Sequence, residues 1–183
     1  MAKVGLRGLT YAVIDESGDY GTPASMGKGV SASVSTNNAD AKLYADDALA
    51  ESDSSFISAA VSMTIDDDRA TVMAALLGHA YNATNEEIVR NVDDVAPYVG
   101  LGRIIKKVVS NVPKYKVEFL KRVKFTEPSQ EENTKSDSVE FGTTAIEGVA
   151  YADDSGEWSK TATFATVAEA QTYLNTCFGV VEP

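Results

Sequence analysis

The chain has 183 residues, 44% of them hydrophobic and 23% charged, and a formal net charge of -11. That length fits one domain with its own core, and so acidic a chain is poorly suited to holding nucleic-acid phosphates or an anionic membrane, which need Lys and Arg. Cys177 and His79 are each the single residue of their kind, which excludes an intrachain disulfide and leaves thiolate metal clusters, Ser-His-Asp triads and Cys-His pairs without material.

Met1 to Leu9 has no long apolar core of the signal-peptide kind. No stretch approaches the roughly 18 apolar residues of a membrane span, so the expectation is a soluble protein made in a cytoplasm. Val30 to Thr36 alternates apolar and small polar residues with period two and predicts a strand, with Asn37-Asn38 as its turn and Ala41 to Ala45 as the returning strand. Phe56 to Ile65 predicts another, stopped by Asp66-Asp67-Asp68. Asp68 is then the expected N-cap of a short helix over Ala70 to Leu77, ended by Gly78. His79, just past that end, reads as a cap and not as a ligand.

Tyr98 to Ser110 scans as strand. Its part from Leu101 to Val109 could also be read as helix, but Gly100, Gly102 and the β-branched run argue against that. Asn111-Val112-Pro113 is the expected turn into a strand over Lys114 to Phe125. There Tyr115, Val117, Phe119, Val123 and Phe125 would face one way, and Lys114, Lys116, Glu118, Arg122 and Lys124 the other. A polar loop follows from Glu127 to Asp137. Strands are expected over Val139 to Ala150 and Trp158 to Phe164, around a turn at Asp153 to Gly156. Thr166 and Glu169 fit a capping box, and Val167, Ala170, Tyr173, Leu174 and Cys177 recur at helical spacing. The pattern is mainly β, with antiparallel connections and two short helices.

Eight of the sixteen Lys and Arg residues lie between Arg103 and Lys124, where Glu118 is the one acid, so this segment carries +7 and the rest of the chain -18. Three readings remain for it: a solvated strand face, a basic patch that meets an acidic patch on a neighbouring copy, and a nucleic-acid site. No aromatic stacking motif or phosphate loop accompanies the third.

The tetrapeptide Tyr-Ala-Asp-Asp occurs at Tyr44 to Asp47 and again at Tyr151 to Asp154. In reverse transcriptases such a turn holds two magnesium ions on carboxylates, but the chain is too short for a polymerase. The second copy reads as a hairpin tip. Asp66-Asp67-Asp68 lacks the spacing of a calcium loop. No nucleophile, base and oxyanion site assemble, so neither catalytic, cofactor nor metal residues are expected.

Several segments in order resemble the major tail protein family of long-tailed, non-contractile phages of Gram-positive hosts, the phi13 type. They are Gly5 to Ala12, Tyr20 to Pro23, Val30 to Ser35, Leu43 to Asp47, Val117 to Phe125 and Pro128 to Ser138. The likeness runs from about residue 5 to 177, and the basic stretch Ile104 to Lys107 departs from it. The resemblance implies a single tail tube domain over 1–183, a β-sandwich or barrel-like fold with flanking helices. It would have an N-terminal arm at 1–26, an extended loop at 37–56 and a C-terminal helix at 166–178. It further implies hexameric rings stacked into the tube of a virion tail, around a tape-measure protein and between terminator and distal initiator proteins. DNA would pass through a bore expected to be acidic. Two other classes stay open: a monomeric acidic β-sandwich adhesion module, which would share the composition, and a small metal-dependent hydrolase using the Asp pairs.

Overall fold

The computed structural model describes residues 2–45, 48–66, 69–129 and 143–180. The fold is mainly β with two helices. The strands are β1 (Ala2–Val13), β2 (Ala24–Gly27), β3 (Gly29–Asn38), β4 (Ala41–Ala45), β5 (Ala48–Asp53), β6 (Phe56–Ile65), β7 (Ala80–Asn82), β8 (Glu87–Val89), β9 (Tyr98–Val109), β10 (Val112–Phe125), β11 (Thr144–Tyr151) and β12 (Ser159–Phe164). The helices are α1 (Ala70–Leu77) and α2 (Val167–Cys177).

One antiparallel sheet runs β2-β1-β9-β10-β11-β6-β3, with β12 also on β10. It folds over a single main core. Leu9, Tyr11 and Met26 from the β2-β1 end meet Val61, Met63, Ile65 and Ile146 from the other end, and Val72, Met73, Leu76 and Leu77 of α1 join them. Of the residues expected as an N-terminal arm at 1–26, Ala2–Val13 and those from Ala24 on are strands of the sheet, joined by a loop. β1 is paired on both sides, to β2 and β9, and Leu9 is fully buried. The alternation of Leu9, Tyr11 and Val13 carried that signal in the sequence.

A second core lies on the opposite face of β9 and β10, under α2. Ile104, Val117 and Phe119 pack there against Ala170, Leu174 and Phe178. Gly102 makes this close approach possible, because a Cβ on it would stand 2.3 Å from Leu174 Cδ1. The Thr166 and Glu169 capping box starts the helix. Phe178, which continues the apolar stripe, anchors its end with edge-on contacts to Phe119 and Tyr20, centroids 4.9 and 5.8 Å away. At α1 the N-cap falls on Arg69, not on Asp68, which lies outside the described residues. Gly78 closes it in the left-handed region at φ 76°, as its backbone requires.

Three connections differ from the expected ones. β3 pairs with β6, and β4 pairs with β5, so Ala41–Ala45 does not return along β3. Instead β3-β4 and β5-β6 form one long two-stranded ribbon, carried across its midpoint by the Ala39 N–H bond to the Ser55 carbonyl, 2.8 Å. At the β9–β10 junction the turn is two residues, Ser110 and Asn111, with φ of 49° and 65°; Val112 already pairs with Val109. Lastly, β11 and β12 do not form a hairpin. Both run antiparallel to β10 along the same edge, β11 opposite Arg122 to Phe125 and β12 opposite Tyr115 to Leu120. Residues 152–158 loop out between them.

Candidate interaction surface

That loop sits opposite an irregularity in β10. The pairing with β9 is continuous up to Leu120↔Leu101 and resumes at Val123↔Val99, so Lys121 and Arg122 together oppose one residue. This is a β-bulge, and it reverses the alternation of the strand. Val117 and Phe119 lie in the α2 core, whereas Leu120, Val123 and Phe125 lie in the main core. The single apolar face expected from Tyr115 to Phe125 is therefore split between two cores, and the expected basic face is split with it.

Both bulge residues open into one cleft of about 410 Å³ with Tyr20, Phe119 and Asp153. Lys121 Nζ donates to Asp153, 2.6 Å, and to Glu157, and Arg122 reaches Asp154 at 3.2 Å. Burial works against the charge of Lys121, but its bonds to Asp153 and Glu157 outweigh it and the pKa is raised. Asp153 is driven far below the usual carboxylate range by Lys121 first and by Ser155 next. Its Oδ1 also accepts from the N–H groups of Ser155 and Glu157, both 3.0 Å. The second Tyr-Ala-Asp-Asp copy is thus the pinned base of a strand interruption. The carboxylates Asp46 and Asp47 of the first copy lie outside the described residues.

A second ionic cluster surrounds His79. Its backbone N–H closes α1 on the Ala74 carbonyl, while its ring meets Asp94 through Nδ1 at 2.7 Å and Glu127 through Nε2 at 2.9 Å. Arg90 adds a bond to Glu127, 2.8 Å. Glu127 first and Asp94 second raise the His79 pKa, which lets both ring nitrogens donate at once. The arrangement ties together the end of α1, the 90–97 segment and the end of β10. Among the described residues no three His, Cys, Asp or Glu side chains stand where they could share a metal ion. No helix there is long and apolar enough to cross a membrane.

Along the Arg103 to Lys124 segment the cations divide into two sets. Arg103 and Lys116 both bond Glu118, and Lys121 and Arg122 hold the loop. Lys124 lies 5.4 Å from the Tyr98 ring centroid. Lys106, Lys107 and Lys114, at the turn end, face no carboxylate among the described residues. Lys107 and Lys114 are directly opposite each other, and Lys3 of β1 is in register with Lys107 on the other side.

The sheet also leaves backbone edges open. Among the described residues the ten-residue β3 pairs on one side, to β6. Among the described residues β4 and β5 pair with each other alone, and beyond Leu9 toward the N-terminus β1 has no strand partner on its β2 side. No family model matches this chain, and no curated protein matches its sequence. What the chain presents to a partner is thus read from these edges and charges alone.

Proposed function

We propose that this chain is a structural subunit that joins copies of itself into stacked rings, the tail tube of a long-tailed phage, and not an enzyme. The open β3 edge carries this reading. Gly29 to Asn38 contains no charged residue and no proline, whereas solitary soluble proteins blunt an edge of that length with charge, proline or a cover. The Gly29 end of β3 lies against Leu6 and Leu9 of β1, and the rest of this one-sided ladder is, among the described residues, a template for another strand that closure with neighbouring copies would remove. The ribbon points the same way, since a two-stranded sheet standing by itself is marginal in water.

In this reading the partners are other copies of the chain, the tape-measure protein, and the terminator and initiator proteins at the tube ends. The acidic excess of each subunit, multiplied around a ring, keeps the bore from binding DNA in transit. Negative-stain electron microscopy of the concentrated protein tests the assignment. Rings or tubes with a central hole are expected. Single small particles that persist after mixing with tail-tip components would overturn it in favour of a monomeric β-sandwich module.

A further inference from the structure

Where the main core opens between β3 and the β9-β10-β12 strands, one row of the sheet is polar. Arg103 of β9, Glu118 of β10 and Thr161 of β12 are in register across three neighbouring strands. They stand one row beyond Leu101 and Leu120, which belong to the main core. Arg103 and Glu118 line a cleft there of about 490 Å³, a size typical of small-molecule sites. Arg103 is only 9% exposed. It donates to one oxygen of Glu118 from Nε, 2.8 Å, and from Nη2, while Lys116 bonds the other oxygen. A guanidinium has five N–H groups, and the other three on Arg103 meet no acceptor among the described residues. No described side-chain nitrogen is both buried and unpaired, so those donors open on the cleft. A buried ionic cluster contributes little to stability compared with apolar packing, which leaves these donors without a reason in folding alone.

The rest of the lining narrows the chemistry. Arg103 and Lys116 against Glu118 leave the cluster one positive charge in excess. Half-buried Trp158 forms an apolar wall and is held by stacking on Phe56, centroids 4.6 Å apart. Thr36, Ser159 and Thr161 also line the cleft, and their hydroxyls donate to no described group. We propose that this cleft binds a small polyhydroxylated carboxylate, a sugar acid, with its carboxylate on Arg103. Two coplanar carboxylate oxygens match the forked N–H groups that Arg103 has free. A single negative charge balances the cluster, whereas the second charge of a phosphate would be repelled by Glu118. Ligand hydroxyls exchange hydrogen bonds with Ser159 and Thr161, and the C–H face of the ring packs on Trp158. The inference goes beyond the tube reading and does not depend on it, because every residue it uses lies within one copy.

Trp158 is the single tryptophan of the chain, so its fluorescence reports on the cleft directly. The full chain is titrated with glucuronate at constant ionic strength, with glucose and inorganic phosphate as comparators. Glucuronate is expected to give a saturable change with Kd of about 1 mM or lower, and the comparators to bind at least about tenfold more weakly. Arg103→Lys keeps a cation beside Glu118 and removes the fork, and should weaken glucuronate about tenfold while leaving glucose unchanged. Thr161→Val, on the surface of β12, should weaken it about fivefold, the effect of one hydrogen bond. Circular dichroism checks that both variants are folded, and Thr161→Val carries the test should Arg103→Lys not fold. An unsaturated response to glucuronate, or folded variants that bind it like the parent, would overturn the site. Glucose or phosphate binding as tightly as glucuronate would overturn the assignment of a carboxylate to Arg103.

Discussion

At the bulge in β10, Lys121 and Arg122 each reach a carboxylate of the 152–158 loop. At the other end of the same hairpin, Lys107 and Lys114 face one another across the strands. The first pair of cations is used up inside the molecule, holding a strand interruption in place. The second set has nothing of opposite sign to meet among the described residues. One segment with a charge of +7 thus contains cations neutralised within the fold and cations that meet no carboxylate among the described residues. A cation contributes to folding where the fold supplies its counter-ion, and to association where another molecule must.

Truncation at the bulge end should have the largest effect. Phe119 is 1% exposed and packed between Tyr20 and Phe178, so Phe119→Ala should lower stability by about 3–5 kcal/mol in urea unfolding. A loss below about 1 kcal/mol would mean that the α2 layer is not a true core.

Next comes the charge itself. Lys121→Met keeps the apolar stem and removes both carboxylate bonds, and a loss of about 2 kcal/mol is expected from the same measurement. An unchanged midpoint would break the comparison, since the bulge cation would then contribute nothing to the fold.

The turn end should respond with the opposite sign. Lys107→Glu turns a like pair with Lys114 into an opposite pair, and a gain of about 0.5 kcal/mol is expected. A loss there as large as at Lys121 would show that the turn-end lysines are structural after all.

The smallest effect is expected at His79, a cation whose charge is conditional. Its folded pKa is raised above the ordinary 6.5, so its contribution is complete below that value and fades as pH rises through the folded pKa. Asp94 and Glu127 are lowered, so theirs is present above the ordinary carboxylate range and fades in acid. The parent should melt about 1 °C lower relative to His79→Gln at pH about 9 than at pH about 6. Identical differences at both values would remove the imidazolium from the account.

Much of the local structure was legible in the sequence. Ala70 to Leu77 with Gly78 after it, the Thr166 and Glu169 box, and the strands over Tyr98 to Phe125 rest on signals a few residues apart: a left-handed glycine, a reciprocal cap, a period of two. Those bonds close within one turn or along one strand, so the residues that make them are adjacent in the chain. The partner of an edge was not legible. Val117 and Val123 look alike in sequence yet face different cores, because a bulge lies between them whose two residues are paired to a loop about thirty residues further on.

The same limit governed the site. Lys116 meets Glu118 two residues on, along the face the alternation gave it, but nothing near Lys121 or Lys107 distinguishes a cation that will meet Asp153 from one that will be opposite Lys114. Composition and local pattern determined a mainly β acidic chain with two capped helices and a concentrated basic segment. The tertiary structure decided that β1 lies inside the sheet, that β3 and the β4–β5 ribbon have open edges among the described residues, and which lysines meet no described carboxylate. Strand pairing and charge neutralisation join residues far apart in sequence, and their energies exist only once the chain has brought them together.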